Sequence, residues 1–362
     1  MDAMFKLQVN RMKQILVGIN GYGVIGKRVA DAIQLQQDMD LIGVVDVATD
    51  YRIRTAAVLG IPIFAADKDS RAAMLEQNIE VVGTMDDMLR QVDVVIDCTP
   101  KRIAAANKTR YDEAGVKCIF QGGESHELTG HSFVAQANYA SALDRDCTRV
   151  VSCNTTSIVR TLGALKTGGL LKRARGTLVR RASDPWEGHR EGVMNTVVPE
   201  QVIPSHQGPD AQTVDPTLEV VTTAVKASHN SSHLHSWWVE LKRNADREEV
   251  LAAFRAAPRI AFLRMDEGLT ALNSTVELML DLGRPRGDLW EVALWEDGLA
   301  VQGNEAYYTY QVFNQAIVVP ETIDAVRALT GIERDGERSI RETDLSLGVT
   351  ADFFDHAHSL RA

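Results

Sequence analysis

One cysteine of this chain stands where a thiol could act as a nucleophile. Cys153 ends a short apolar run that starts at Val150, and a helical stretch with apolar residues from Ile158 follows it. A cysteine in the first turn of a helix has its thiolate stabilised by the positive end of the helix dipole, which lowers the thiol pKa. We therefore expect covalent catalysis at Cys153. The other cysteines are interpreted as buried and inert: Cys98, Cys118 and Cys147.

Histidines that could exchange a proton with this thiol lie in two places. One is His206, and a cluster further along the chain contains His229, His233 and His235. His233 and His235 are two residues apart at the expected start of a strand, so they share a face. A zinc site is conceivable there, but no acidic or cysteine ligands complete it. We therefore expect no metal.

A glycine pattern near the N-terminus could hold the phosphates of a dinucleotide. Gly21, Gly23 and Gly26 follow the apolar run 15–19 and precede a helical stretch. This spacing allows a tight turn, close approach of a pyrophosphate to the backbone, and helix packing, with the phosphates at a helix N-terminus. The pattern predicts binding of a nicotinamide dinucleotide, and a purely structural glycine turn is the alternative.

Asp46 bears on which dinucleotide is bound. It lies twenty residues after Gly26, at the end of the next strand-like run. A carboxylate there accepts hydrogen bonds from a ribose diol and repels a 2′-phosphate, so Asp46 favours NAD over NADP. The other interpretation is an ordinary loop or helix cap.

An arginine pair could bind an anionic substrate. Arg180 and Arg181 end a strand-like run just before an expected turn. Paired guanidinium groups can clamp a phosphate through parallel hydrogen bonds. The alternative is two solvated arginines at the end of a strand.

The elements around these residues predict an α/β protein with two kinds of sheet. Up to about residue 151, short apolar strands alternate with helices, which is typical of a doubly wound parallel sheet. Longer alternating strands follow Cys153 and predict an α+β domain with a mainly antiparallel sheet. The expected strands cover 15–19, 41–45, 94–98, 117–120, 149–152, 177–181, 220–225, 237–241 and 292–294. The expected helices cover 27–35, 72–75, 245–256, 274–282 and 323–329.

Length, charge and cysteine usage limit the classes of protein that this chain can be. The 362 residues predict two domains, and 45% apolar residues are ordinary for a globular protein. A formal charge of -10 argues against a nucleic-acid partner or an anionic membrane surface, and no apolar run is long enough to cross a bilayer. The four cysteines lack CxxC spacing, which favours the reducing cytoplasm. Residues 1–12 lack a secretion signal, and we expect a disordered extension there.

Several blocks of the sequence together resemble one enzyme family. The blocks are 17–30, 120–124, 150–156, 179–185, 204–210 and 319–328. They resemble the archaeal-type (type II) phosphorylating glyceraldehyde-3-phosphate dehydrogenases, and the resemblance runs from about residue 13 to about residue 329. It implies a Rossmann dinucleotide-binding domain over 1–152, joined by a returning helix at 316–335, and a catalytic domain over 153–315. Residues 336–362 then form a C-terminal tail with no strong fold signal.

The resemblance also implies roles for individual residues. Cys153 would be the nucleophile and His233 the catalytic histidine that takes the hydroxyl proton of the thiohemiacetal, with His235 as the alternative. The implied substrate-binding residues are Ser152, Asn154, Arg180, His206 and Gln207. The implied cofactor-binding residues are Gly21, Gly23, Val24, Ile25, Gly26, Asp46, Gly123, Arg181 and Asn314.

The implied reaction is the oxidation of D-glyceraldehyde 3-phosphate to 1,3-bisphosphoglycerate, a step of glycolysis and gluconeogenesis. The implied partners are inorganic phosphate and NAD, with NADP possible, and the implied assembly is a homotetramer. Four positions depart from the family pattern: Asp46 replaces basic residues, Gln207 a second histidine, Asn314 a glutamine, and Ser183 or its neighbour Ala182 a glycine. Two alternatives stay open, a related thiol-dependent semialdehyde dehydrogenase with another phosphorylated substrate and a non-catalytic nucleotide-binding protein.

Overall fold

The computed structural model describes residues 14–101, 103–121, 123–182 and 197–354. Within these residues the chain forms two eight-stranded sheets with helices packed around them. The expected disordered extension at 1–12 lies outside the described residues, as does the end of the 179–185 block beyond Ala182.

The N-terminal sheet is wholly parallel. Its strands are β1 (Ile15–Asn20), β2 (Met39–Asp46), β3 (Ile63–Ala65), β4 (Gly83–Thr84), β5 (Val94–Asp97), β6 (Lys117–Phe120), β7 (Ser132–Phe133) and β8 (Cys147–Val150). Its helices are α1 (Val24–Gln34), α2 (Tyr51–Val58), α3 (Lys68–Glu76), α4 (Met85–Leu89), α5 (Ala104–Ala114), α6 (His126–Thr129) and α7 (Ala135–Asn138). A short 3-10 helix, Tyr139–Ala142, follows α7.

The strand order of this sheet explains where a ligand can bind. The order is β4-β3-β2-β1-β5-β6-β8-β7, so the direction of winding reverses between β1 and β5. In an open parallel sheet a crevice forms outside the carboxyl ends of the strands at such a point. The residues that follow β1, β2, β5, β6 and β8 all lie at this edge, which confirms the prediction of a doubly wound domain.

The C-terminal sheet is mixed, with more antiparallel than parallel pairs. Its strands are β9 (Leu171–Arg181), β10 (Val198–Pro199), β11 (Val220–Ala227), β12 (His233–Leu241), β13 (Ile260–Leu263), β14 (Val292–Trp295), β15 (Ala300–Gln302) and β16 (Glu305–Val312). Its helices are α8 (Cys153–Thr167), α9 (Gln207–Gln212), α10 (Arg247–Arg255) and α11 (Leu272–Asp281), with 3-10 helices at Met265–Glu267 and Pro285–Gly287. The order is β10-β11-β9-β12-β16-β14-β13, with β15 beside β16. The pairs β11–β9 and β13–β14 are parallel and the others antiparallel, so the mainly antiparallel prediction is confirmed with two exceptions.

Helix α12 (Val318–Thr330) returns the chain to the N-terminal sheet, where it packs against α1 and β8. Pro320 lies in its first turn, where a missing backbone N–H costs no intrahelical hydrogen bond. Glu321 forms fully buried ion pairs with Arg160 of α8 at 2.5 Å and with Arg259 at 3.0 Å. These pairs tie the returning helix to α8 and to the residue that directly precedes β13 of the C-terminal sheet.

A last helix, α13 (Gly336–Leu347), lies in a stretch for which the sequence predicts no regular element. Asp335 caps it by accepting hydrogen bonds from the backbone N–H groups of Glu337 and Arg338. Apart from Ile340, its buried side chains are polar: Ser339 and Thr343 both donate to Asp324 of α12, at 2.7 Å each. An apolar stripe is therefore nearly absent, which explains why periodicity did not reveal the helix.

Candidate active site

The loop after β1 has the backbone that close approach of a phosphate requires. Gly21 has a φ of +95°, and a Cβ there would lie 2.9 Å from the carbonyl carbon of Cys98. A Cβ on Gly26 would lie 1.9 Å from the carbonyl oxygen of Gly21, so this position packs α1 against the turn. At Gly23, which precedes α1, a Cβ would meet open space, and the helix has no side-chain cap. The helix N-terminus is therefore open to an anionic ligand.

A cavity of about 760 Å³, the glycine-loop cavity, extends from this loop to the end of β2. Gly21, Gly23 and Asp46 line it, together with the cationic side chains of Lys27 and Arg52. Asp46 accepts hydrogen bonds from the backbone N–H groups of Tyr22, Val47 and Ala48, at 2.7 to 2.8 Å. The carboxylate is thereby held at the cavity wall. The open helix end, the glycine turn and this acceptor together fit a nicotinamide dinucleotide.

Cys153 is the first residue of α8, as the sequence predicts. Ser152 precedes the helix, and its hydroxyl accepts a hydrogen bond from the backbone N–H of Thr155 at 3.3 Å. Cys153 faces a second cavity of about 720 Å³, the thiol cavity. Both cavities are lined by Val24 and Ile25, so the thiol cavity adjoins the glycine loop.

The electrostatic environment of Cys153 differs from the expectation. Burial raises the pKa of its thiol above the ordinary value, and the opposing effects of Arg181, of the Asn154 backbone N–H and of Arg180 are smaller. The prediction that the helix start lowers this pKa is therefore wrong for the net effect. The helix N–H groups do stabilise the thiolate, but desolvation disfavours it more.

We expect the pH dependence of alkylation to report this raised pKa. Because the thiolate is the reactive form, the rate of Cys153 alkylation by iodoacetamide should still be rising above neutral pH. Arg181→Gln removes the cation that most favours the thiolate, so the midpoint should move to higher pH. The measurement is the second-order inactivation rate between about pH 6 and about pH 10. A midpoint that moves to lower pH in this variant would contradict the assignment.

His233 lies beside the arginine pair because β12 runs antiparallel to β9. It is the first residue of β12, and its Nδ1 accepts a hydrogen bond from the backbone N–H of Arg181 at 3.1 Å. Burial, followed by the charge of Arg181, lowers the pKa of His233 well below its usual range. The ring is therefore neutral, and since Nδ1 accepts, its hydrogen is on Nε2. His233 lines the thiol cavity.

Arg180 and His206 converge on one carboxylate. Arg180 Nη1 is 3.1 Å from Glu200 Oε2, and His206 Nδ1 is 3.3 Å from Glu200 Oε1. Both residues line the thiol cavity. The buried Nε of Arg180 has no hydrogen-bond partner among the described residues, so the guanidinium retains capacity for an anion.

The structure brings most of the predicted site residues to the two cavities. The thiol cavity is lined by Val24, Ile25, Gly123, Ser152, Cys153, Asn154, Arg180, Arg181, His206, His233 and Asn314. The glycine-loop cavity is lined by Gly21, Gly23, Val24, Ile25 and Asp46. Gly26 acts instead in packing. Gln207 is fully buried, lies outside the lining of both cavities, and its amide has no hydrogen-bond partner within the described chain.

Sequence reasoning missed several lining residues. Gln315 lines both cavities, next to the predicted Asn314, whose Oδ1 accepts a hydrogen bond from the Ser232 backbone N–H. Arg149, Asp210 and Thr213 also line the thiol cavity. A signal was present for Asp210, because it closes the block 204–210.

Asp210 holds the start of α8 in place. Its Oδ1 accepts a hydrogen bond from Arg149 Nη2 at 2.7 Å, and its Oδ2 accepts one from the Thr155 hydroxyl at 2.7 Å. Arg149 is buried on β8 and Thr155 is in the first turn of the helix. The bonds join the elements on either side of Cys153, which restricts the position of the nucleophile.

Two further findings concern residues 14–101, 103–121, 123–182 and 197–354. These residues contain no group of three or more His, Cys, Asp and Glu side chains arranged to hold a metal ion. Among them, no helix combines the length and the apolar character that a membrane span requires.

Comparison with solved structures supports the fold. The chain resembles the crystal structure of aspartate semialdehyde dehydrogenase II from Vibrio cholerae with a TM-score of 0.66. The match covers 88% of this chain and 99% of that chain at 13% identity. At this identity the likeness concerns the fold alone.

Comparison with sequences defines the family. Residues 152–278 match the family model for the C-terminal domain of glyceraldehyde 3-phosphate dehydrogenase. Glyceraldehyde-3-phosphate dehydrogenase from Methanococcoides burtonii is 42% identical, and the match covers 93% of this chain and 100% of the relative. The enzymes from Methanopyrus kandleri and Pyrococcus furiosus are 45% and 43% identical over 93% of this chain and 98% and 99% of theirs. The chain therefore belongs to the archaeal-type glyceraldehyde-3-phosphate dehydrogenase family.

Proposed function

We propose that this chain catalyses the phosphorylating oxidation of D-glyceraldehyde 3-phosphate to 1,3-bisphosphoglycerate. The observation that carries the proposal is Cys153, which begins a helix and faces a cavity shared with His233 and Arg180. That cavity adjoins the glycine loop, which fits a nicotinamide dinucleotide. Relatives that bear the name of this activity match the chain over nearly its whole length, which supports the same substrate.

The first step is covalent. The Cys153 thiolate adds to the aldehyde carbon, so a C–S bond forms and the carbonyl oxygen becomes negatively charged. Backbone N–H groups at the start of α8 and the Asn154 side chain lie beside Cys153 and can donate to this oxygen. When bound, the nicotinamide supplies the acceptor for the hydride that leaves this carbon, so that a thioester to Cys153 remains.

His233 acts on the same oxygen. The sequence suggested that it takes the hydroxyl proton, but its Nδ1 already accepts the Arg181 N–H. In the neutral ring Nε2 therefore carries the hydrogen and is a donor to the oxygen as charge develops. Nε2 can accept a proton only if the ring hydrogen is on Nδ1, and Nδ1 could then no longer accept the hydrogen bond from the Arg181 backbone N–H.

The second half of the reaction needs an anion site. Inorganic phosphate attacks the thioester carbon, the C–S bond breaks, and Cys153 leaves as the thiolate. We assign Arg180 and His206 to a phosphate group, because they line the thiol cavity and the Arg180 Nε–H has no hydrogen-bond partner among the described residues. The phosphate replaces the carboxylate of Glu200 at these cations. Arg181, Gly123 and Asn314 are assigned to the cofactor side.

The test is absorbance at the nicotinamide band with glyceraldehyde 3-phosphate, with and without inorganic phosphate. Phosphate-dependent reduction supports acyl transfer from the thioester. Reduction that ignores phosphate would point to hydrolysis, and reduction only with a semialdehyde would point to the related dehydrogenases. No reduction with any aldehyde would contradict an enzymatic role.

We further propose that NAD is the preferred cofactor and that NADP is a poorer one. Asp46 lines the glycine-loop cavity with a carboxylate fixed by backbone N–H groups, where it can accept from a ribose diol. Three cationic residues line the same cavity: Lys27, Arg52 and Arg110. Their positive charge can attract the 2′-phosphate of NADP, so we expect NADP to be used as well, but less efficiently.

Replacement of Asp46 should therefore change the cofactor preference. In Asp46→Ser the ratio of kcat/KM for NAD to that for NADP should fall by about tenfold or more, because a hydrogen bond to a charged acceptor and the repulsion of a 2′-phosphate are both lost. Asp46→Asn keeps an acceptor for part of the loop and should shift the ratio in the same direction. Asp40→Ser makes the same change at the other, exposed end of β2 and should leave the ratio unaltered. An unchanged ratio in both Asp46 variants would contradict the proposal.

We also propose a cytoplasmic homotetramer, as the family resemblance implies. The C-terminal sheet supports an assembly, because one of its faces exposes apolar side chains, with Val221 40% and Tyr307 39% exposed. Arg175 lies over the Trp238 ring on the same sheet, at 5.1 Å from its centroid. Light scattering should give four times the mass of one chain, and the mass of a single chain would contradict the assembly.

A further inference from the structure

Behind Cys153 lies a buried row of three side chains: Tyr310, His235 and Asn154. His235 Nδ1 is 2.8 Å from Tyr310 Oη, and His235 Nε2 is 2.8 Å from Asn154 Oδ1. His235 and Tyr310 are fully buried and outside the lining of the thiol cavity, whereas Asn154 lines it. The row therefore connects the interior of the C-terminal sheet with the residue next to the nucleophile.

The chemistry of these groups assigns each hydrogen in the row. Burial, followed by the charge of Arg180, lowers the pKa of His235 to about 3, so the ring is neutral and has a single N–H. An amide oxygen only accepts hydrogen bonds, so His235 Nε2 carries the hydrogen and donates to Asn154 Oδ1. His235 Nδ1 is then an acceptor, and the Tyr310 hydroxyl donates to it.

A neighbouring serine favours this direction of the row over the reverse. The Ser157 hydroxyl donates to the Asn154 backbone carbonyl at 2.8 Å, so its hydrogen is already used. Ser157 Oγ lies 3.2 Å from Tyr310 Oη, whereas His235 Nδ1 lies only 2.8 Å from it. In the reverse arrangement His235 Nδ1 would donate to Tyr310, and Tyr310 would donate to Ser157 over this longer contact. The Asn154 amide would then be rotated so that its Nδ2 donates to His235 Nε2.

The row determines what Asn154 presents to the thiol cavity. With Oδ1 held by His235, the amide Nδ2 is turned away from the ring. No described residue accepts a hydrogen bond from this Nδ2, so its two N–H groups are available to a ligand beside Cys153. If the amide were free to rotate, an oxygen would face the same position for part of the time and would repel a negatively charged group.

We propose that His235 is a positioning residue: it fixes the Asn154 amide so that an N–H donates to the oxygen that becomes charged when Cys153 adds to the aldehyde. This inference rests on the proposed function. It gives the two histidines of β12 separate roles, with His233 at the reacting oxygen and His235 acting through Asn154. Tyr310 in turn fixes the tautomer of His235.

The expected effect is on turnover and much less on substrate binding. One donor to a developing oxyanion is worth about 10²- to 10³-fold in kcat. His235→Leu frees the amide without removing it, so kcat should fall by about 10- to 100-fold with little change in KM. His235→Gln retains an N–H donor and should recover most of the loss.

A double-mutant cycle separates positioning from general damage. In an Asn154→Ala background, His235→Leu should produce no further loss of kcat, because the group that it positions is absent. Independent, multiplying losses would overturn the proposal, as would failure of His235→Gln to recover kcat. If cofactor binding is lost in His235→Leu, Tyr310→Phe takes its place, since it removes only one hydroxyl. Its smaller loss of kcat should likewise vanish in the Asn154→Ala background.

A substrate-free measurement distinguishes this inference from the proposed function. The ¹⁵N shifts of histidine-labelled wild-type protein should show His235 as the Nε2–H tautomer. An Nδ1–H tautomer would overturn the positioning role whatever the activity. An Nε2–H tautomer in a protein that oxidises no glyceraldehyde 3-phosphate would instead overturn the proposed function on which the role depends.

Discussion

Cys153→Ser should reduce aldehyde-dependent reduction of NAD by at least about a thousandfold while cofactor binding is retained. A serine hydroxyl is far less acidic than a thiol, and its alkoxide would be even less favoured at this partly buried position, where desolvation already raises the Cys153 pKa. The Cys153 side chain faces the thiol cavity, and its replacement leaves the glycine loop unchanged, so cofactor binding should persist. The measurements are kcat with glyceraldehyde 3-phosphate and cofactor affinity by fluorescence quenching.

A second thiol at the same site provides the matched control. Cys98 lines both cavities, and its pKa is raised by burial and by Asp97. It follows a strand and does not begin a helix, so no helix N-terminus favours its thiolate. Cys98→Ser should therefore keep most of the wild-type turnover. Retained turnover in Cys153→Ser, or its loss only in Cys98→Ser, would contradict the choice of nucleophile.

The features that the sequence predicts well are those encoded within a few residues. The glycine loop and the helix that begins at Cys153 follow from turn and helix-start patterns that need no distant partner. The strand ends that carry Asp46 and Cys153 lie at one edge because parallel strands share a direction. Local pattern and topology together thus determined that the glycine loop and Cys153 line adjoining cavities.

The features that the sequence does not predict depend on register and burial. The histidines were expected at the start of a strand, but the antiparallel pairing of β12 with β9 was not predicted, and this pairing places His233 beside Arg181. The raised pKa of Cys153 comes from desolvation by residues far apart in the chain, which no local pattern reports. The contact of Glu200 with Arg180 and His206 is likewise made only by the folded chain.

His233→Ala should lower kcat by about 10²- to 10⁴-fold, the range for a positioned group that acts on a proton or a developing charge. His233→Gln retains an N–H donor, so it should keep more of the turnover than the alanine variant. His229→Gln is the matched control, because His229 belongs to the same cluster but lies outside the lining of the thiol cavity. Equal losses in the alanine and glutamine variants would contradict a donor role.

The pH profile tests the protonation state of His233 separately. Burial, with the charge of Arg181, lowers its pKa well below 6.5, so the neutral ring is lost only when the pH falls below that lowered value. We therefore expect no acid limb in kcat from His233 between about pH 6 and about pH 8. An acid limb near pH 6.5 that disappears in His233→Gln would contradict this. Such a limb would mean that the Arg181 N–H leaves Nδ1 during turnover, because an imidazolium donates from both of its nitrogens.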